Sequence, residues 1–541
     1  MTALPKNLNE KHLLNTSRIV VLIFLLTNIS CQNKNENTPN TENDSFRFSE
    51  MSITQIQQGY KDGSFTIKEV VQAYLDRIEE IDNSGPELNS LIIVNPDAIA
   101  IATALDNEFK QSKKVRGPLF GIPVVLKDNI DTYDKMPCTA GSRALKNSYP
   151  LKDSYVAKKL RNAGAIIIAK SNLSEWANFR GQMSTSGWSG LGGLTKNPYI
   201  LTRNACGSSS GSAVAVSANL TMIAIGTETD GSIVCPSHIN GIVGLKPTVG
   251  LISRSGIIPI SFTQDTPGPM GRTVQDVAIC LGALTGIDST DEKTLESPGH
   301  FYKDYTQFLK KDGLKGKRIG LYKATYGINY KVDTVMNLAV VFLKSQGVEI
   351  IEIAEITDAK VNQLEFEILL YEFKDGLNKY FSSLGPKAQV KSIDELIAFN
   401  KSDSIELRHF NQLYLEQANK KGDLNSKEYQ EALAYVKKGS RENGIDKVMD
   451  KYKLDAIIAP TGSPAWKTDL INGDSYQFGT SSPAAQAGYP NITVPMGFVD
   501  ELPVGISFFG RAWSEPVLLE IAYSFEMGTK HRKTPGFLKA D

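Results

Sequence analysis

Ser212-Ala213-Val214-Ala215-Val216-Ser217-Ala218-Asn219-Leu220, then Thr221-Met222-Ile223-Ala224-Ile225, then Gly226-Thr227-Glu228-Thr229-Asp230-Gly231-Ser232, is the stretch on which the fold class turns. Small and apolar residues without a breaker predict a helix over 212–220, and the apolar run 222–225 predicts a buried strand. Glycine and short polar residues then predict a tight turn ending at Ser232. The same alternation recurs on either side. Pro123 to Leu126 reads as a short strand that delivers Lys127, Ser154 to Ala163 as a helix stopped at Gly164, and 166–169 as a second buried strand. Upstream, Val70, Val71, Tyr74, Leu75 and Ile78 stand at helical spacing within an amphipathic helix over 66–81. Leu454 to Pro460 returns to a strand, and 481–510 supplies turns and short strands. Alternation of this kind predicts an α/β fold, a sheet covered by helices on both faces. Between about 291 and 452 the charges rise and long helical patterns appear over 361–381 and 406–421, so that stretch is expected to be a helical insert.

The 541 residues, 41% hydrophobic and 22% charged, have ordinary globular composition. Formal net charge is +0 and there is no basic block, which argues against nucleic-acid binding. Lys6, Lys11 and Arg18 precede an apolar run over 19–26 that is too short to span a bilayer and fits the core of a secretory signal. Asn28-Ile29-Ser30-Cys31 follows, similar to a lipobox, and the polar tract after it cannot form a core. The expectation is a signal peptide over 1–30, lipidation at Cys31, a tether over 31–45 and a folded region over 46–541. The protein would then be exported and held in a bacterial cell envelope through a lipid anchor. Cys138, Cys206, Cys235 and Cys280 fit no metal spacing; their pairing is left open, with buried free thiols expected for most.

Two Gly/Ser-rich clusters, 206–212 and 226–232, carry the chemistry together with Lys127. Small residues in a tight turn let successive backbone N–H groups converge, which suits an oxyanion hole at Thr229, Asp230, Gly231 and Ser232. Gly207-Ser208-Ser209-Ser210-Gly211 also fits a nucleophile elbow centred on Ser209, but the polar residues before it are no strand. Downstream of Cys31 the histidines are His238, His300, His409 and His531, and none has the context of a catalytic base; His238 comes nearest. An exposed lysine is a poor base at neutral pH, whereas burial after Val124-Val125-Leu126 lowers the pKa of Lys127.

Lys127, Ser208 and Ser232 with the tract between them resemble the amidase signature family. The resemblance covers most of 46–525 and includes Ile168-Ala169-Lys170-Ser171-Asn172-Leu173-Ser174-Glu175, Gly241-Ile242-Val243-Gly244-Leu245-Lys246-Pro247-Thr248, Asp265-Thr266-Pro267-Gly268-Pro269-Met270 and Gly488-Tyr489-Pro490-Asn491-Ile492-Thr493-Val494-Pro495. It implies the family's fold, one large mixed twisted sheet, and a Ser-Ser-Lys triad: Lys127 as neutral base, Ser208 as bridging serine after a cis peptide bond, and Ser232 as acyl-forming nucleophile. It implies no cofactor and no metal. Cys206 stands where glycine is common in the family, and Asp230 likewise, so the Asp230 carboxylate is expected to turn away from the oxyanion. The wording around 197–199, 226–232 and 259–265 is similar to the bacterial branch of the family that removes C-terminal amides from peptides. The resemblance therefore implies release of ammonia from amidated peptides or small carboxamides. Fatty-acyl or aryl amides and esters are the alternative, and a binding protein on an inactive scaffold the distant one.

Overall fold

Three buried apolar runs lie side by side in one half of the sheet, and Lys127 ends one of them. The computed structural model describes residues 46–540. Its strands are β1 (Leu91–Val94), β2 (Pro123–Lys127), β3 (Ile166–Ser171), β4 (Trp188–Ser189), β5 (Gly193–Leu194), β6 (Ile223–Glu228), β7 (Val243–Lys246), β8 (Thr266–Gly271), β9 (Arg318–Tyr322), β10 (Glu349–Ile353), β11 (Ala456–Pro460), β12 (Asn491–Val499) and β13 (Leu502–Phe509). β4 and β5 make a small hairpin; the other eleven form one sheet in the order β1-β3-β2-β6-β8-β7-β12-β13-β11-β9-β10. β2 runs parallel to β3 and β6, and β9 parallel to β10 and β11. The β12–β13 hairpin and the β6–β8–β7 set are antiparallel, so the sheet is mixed, as expected.

Every residue of β2, β3 and β6 is buried. A strand covered on both faces needs apolar side chains throughout, which is why these segments read as unbroken runs and not as alternation. The covering helices begin where the chain supplies a cap. Thr66 accepts the Glu69 N–H while the Glu69 carboxylate accepts the Thr66 N–H, opening the helix Ile67–Arg77. The pattern expected to run to 81 continues past Arg77 as a wider π turn over Ile78–Asn83. Val70, Val71 and Tyr74 from this helix join the main core with β2, β3 and β6. Each such side chain contributes about 1.5–3 kcal/mol by leaving water.

The stretch expected to be a helical insert differs in two ways. It contains β9 and β10, which extend the main sheet at one edge. Its α-helices are Tyr330–Ser345, Ala359–Ser383, Ile393–Ser402, Leu413–Asn419, Lys427–Ser440 and Asp446–Tyr452, so the pattern over 406–421 yields only one short helix. Glu406 explains the break. Its buried carboxylate accepts the Arg143 N–H at 2.6 Å and the Ser142 hydroxyl at 3.1 Å, and its carbonyl accepts from Arg180 and not from an N–H four residues on. Leu370, Phe373, Leu377 and Phe381 of the long helix share a core with Phe179, Ile258 and Ile260. The helices thus complete the loops of the body and wall the site.

Candidate active site

Lys127, the last residue of β2, is wholly buried. Its Nζ lies 2.7 Å from Ser208 Oγ, 2.9 Å from Thr227 Oγ1 and 3.2 Å from Thr227 O. Burial brings its pKa down to about 7, against the opposing pull of the Asp265 and Glu228 carboxylates. A neutral amine has two N–H donors and one lone pair. Thr227 offers an acceptor to each donor, which leaves the lone pair for the Ser208 hydroxyl. Thr227 is in reach because β6 pairs in parallel with β2. Asn129 steadies it from the other side, donating to Thr227 Oγ1 at 3.0 Å.

The first cluster is Gly/Ser-rich because its residues pack against backbone. The Gly207–Ser208 peptide is cis, and a Cβ on Gly207 would stand 2.1 Å from Ser174 Oγ. Each serine hydroxyl has its own task. Ser208 meets Lys127; Ser209 donates to Thr227 O at 3.1 Å and accepts the Thr227 N–H at 3.2 Å; Ser210 bonds Cys206 O, and Ser212 bonds Ser171. Ser209 is therefore a buried fastener between the helix Ser210–Ser217 and β6, and no strand precedes it, so the elbow does not form. The Ser209 N–H also donates to Ser232 O at 3.2 Å, tying the two clusters directly.

The second cluster turns sharply after β6, with Gly231 at φ +80°, a conformation that glycine adopts without strain. Glu228 Oε2 accepts the Ile233 and Val234 N–H groups at 2.8 and 3.0 Å, bracing the far side of the turn. Among the described residues, the backbone N–H groups of Thr229, Asp230, Gly231 and Ser232 find no acceptor and remain available to a ligand. Ser232 is 8% exposed and opens, with Ser208, into a cavity of about 580 Å³. The Asp230 carboxylate is taken up by Ser481 Oγ at 2.5 Å and Ser482 Oγ at 2.7 Å. Walls come from Phe179, Met183, Leu369, Tyr414 and Trp466, and the charged residues of the lining, Asp230 and Asp474, are both acidic. A second cavity of about 390 Å³, lined by Asn129, Thr227 and Asp265, shares Ala177, Thr229 and Ile260 with the first.

Cys206 and Cys235 form a disulfide that staples the first cluster to the helix Val234–Ile239 just after the second, whereas Cys138 and Cys280 are free and buried. Cys206 sits at φ +57°, where any side chain costs about 1–2 kcal/mol and glycine none. His238 is fully buried, bonds neither serine and is held neutral, burial pushing its pKa down to about 3. Among the described residues no group of three or more His, Cys, Asp or Glu side chains is arranged to hold a metal ion. Sequence reasoning passed over Thr227, Asn129, Gln264 and the role of Asp265. Each acts across the fold, on a partner that no local spacing names.

The model of the family described as Amidase matches residues 69–519. The chain is 45% identical to the native peptide amidase of Stenotrophomonas maltophilia, whose crystal structure superposes with a TM-score of 0.87 over 91% of this chain and 99% of that one. It is 40% identical to a probable amidase of Arabidopsis thaliana, over 91% of this chain and 93% of that protein. A putative amidase of Schizosaccharomyces pombe is 34% identical over 90% and 86%. These relatives overturn the expected placement in a bacterial cell envelope. Along nine-tenths of its length the chain matches proteins of a plant and a fungus, organisms without such an envelope. The signal peptide, the tether and Cys31, on which that expectation rested, lie outside the described residues.

Proposed function

This chain belongs to the amidase family and is an amide hydrolase, and we propose that it releases ammonia from C-terminally amidated peptides or small carboxamides with Ser232 as nucleophile. The observation that carries the proposal is the Lys127–Ser208 hydrogen bond at 2.7 Å, set beside a turn with unengaged N–H groups. Neutral Lys127 takes the Ser208 proton as Ser208 takes that of Ser232, whose Oγ attacks the carbonyl carbon. The oxyanion is met by the N–H groups of 229–232, each such donor worth about 3 kcal/mol in the transition state. The relay runs back to protonate the departing amine, the C–N bond breaks, and an acyl ester remains on Ser232. Water, deprotonated along the same relay, hydrolyses that ester and restores the free serine.

Two features support amidated peptides as substrates: the likeness to a peptide amidase, and a cavity lining whose charges are all acidic. A neutral carboxamide end enters such a cavity, whereas a free carboxylate end meets Asp230 and Asp474. The second reading, aryl or fatty-acyl amides, draws on the mainly apolar second cavity, whose walls include Ile257, Ile258, Ile260 and Phe262. An inactive binding scaffold would lack one of Lys127, Ser208 or Ser232, and all three are present. The test is ammonia release from an amidated dipeptide, run beside an acyl anilide and the Ser232→Ala variant. Release that the variant loses supports the first reading. Cleavage of the anilide alone would replace it with the second.

A further inference from the structure

Asp265 lies just before β8, far in sequence from Lys127 and 36 residues beyond Thr229. Its Oδ1 accepts the Thr229 hydroxyl at 2.5 Å, and its Oδ2 accepts the Ile260 and Ser261 N–H groups at 2.8 and 2.9 Å. The neighbouring Gln264 donates to Thr229 O at 3.4 Å and to Glu365 Oε1 at 2.8 Å, while Gln486 closes the chain on Glu365 Oε2 at 2.7 Å. Thr229, the first residue of the oxyanion turn, is thus gripped at its side chain and at its carbonyl by two consecutive residues. Asp265 also lines the second cavity with Thr227, which bonds the Lys127 amine, and Asn129, which donates to Thr227.

We propose that Asp265 is a positioning residue for the hydrolysis, fixing the oxyanion turn through Thr229 and placing a carboxylate charge close to the Lys127–Thr227 pair. The proposal rests on the assignment of Lys127 as base. Burial pushes the Asp265 carboxyl above its ordinary range, and the three hydrogen bonds that it accepts favour the ionised form and offset part of that push. The charges facing Lys127 are Asp265 and Glu228, both of which favour its protonated form. Glu228 is itself turned to Lys246 and to Asp230. Asp265 faces Arg254, whose guanidinium is paired with Asp291. Asp128, next in the chain after Lys127, points instead to Thr139 and, at 3.9 Å, to Lys170.

An anion near a base favours its protonated form, so activity needs a higher pH than it would without Asp265. In Asp265→Asn the amide oxygen can still accept the two backbone bonds, and the Thr229 hydroxyl can turn to accept from the amide nitrogen. The fold is kept while the charge is removed. The expected result is a plateau kcat lowered roughly tenfold to a hundredfold with little change in KM, as loosened positioning gives. The acidic limb of kcat/KM should also move down by about one pH unit. Thr229→Val, which frees the turn but keeps the charge, should lower kcat and leave the limb in place. Asp265→Glu should keep the limb and recover part of kcat. An unmoved limb in folded Asp265→Asn would overturn the proposal. Should that variant fail to fold, an unchanged kcat in Thr229→Val would overturn it instead. Lys127→Ala separates the layers: an active Lys127→Ala removes the base assignment, whereas an inactive one with an unmoved limb in Asp265→Asn removes only this proposal.

Discussion

The region of β2, β6 and the two clusters differs from the walls above it in how each residue is held. Lys127, Ser208, Ser209 and Thr227 are buried, and each is bonded to another strand or turn of the sheet. Met183, by contrast, is 58% exposed at the cavity rim, and Leu369 and Tyr414 stand on helices whose core is separate from that of the sheet. A reaction needs groups fixed to a fraction of an ångström, and strands in a mixed sheet provide that. Selectivity needs only a wall of suitable shape, which can change without disturbing the strands. The two regions should therefore respond to substitution in different measures.

The sharpest break falls at the nucleophile. Ser232→Ala should lower kcat on an amidated dipeptide by about 10⁴-fold or more with the fold retained, read by ammonia release. Lys127→Ala should cost about 10³-fold. In the unmodified protein kcat/KM should climb about tenfold per pH unit on the acid side and level off above about pH 7, where Lys127 is neutral and able to accept a proton. A rate flat from pH 5 to 8 would remove lysine as the base. The disulfide comes next. Its ends are 29 residues apart, so Cys206→Ser with Cys235→Ser should cost about 3–4 kcal/mol of stability, seen as a lower denaturant midpoint. Met183→Ala in the wall should do least: at most about tenfold in kcat/KM, confined to substrates with large side chains, and no shift in the pH limb. An equal loss on every substrate would erase the distinction between the two regions.

What could be read from the chain follows the same division. Val124, Ile167 and Ile223 lie in runs long enough to name strands buried on both faces, and Lys127 stands at the end of one. The clusters advertise themselves because packing against Ser174 and the backbone demands glycine and serine. The helix expected over 406–421 went astray because helical spacing knows nothing of Arg143 and Arg180, which claim Glu406 from far along the chain. β9 and β10 were hidden in a charged stretch: β10 is an edge strand, which needs fewer apolar residues, with Glu349 exposed and Ile350 only half-buried, and β9 is five residues that open on Arg318. The pairing of Cys206 with Cys235 was equally out of reach, since four cysteines allow three arrangements and spacing favours none. Asp265 stood within a quoted motif, yet its hydrogen bond to Thr229 exists only once β6 and β8 are paired.

The order of strands carries a consequence for the chain as it is made. The last hairpin, β12 and β13, lies in the middle of the sheet, between β7 on one side and β11 on the other. A chain emerging from the ribosome can pair β2 with β3 and β6 early, but β9, β10 and β11 have no route to that half until residue 509 has appeared. The sheet therefore closes late, like an arch whose keystone is set last. Loss of even the final tenth of the chain would add two open sheet edges, at β7 and β11, to those at β1 and β10.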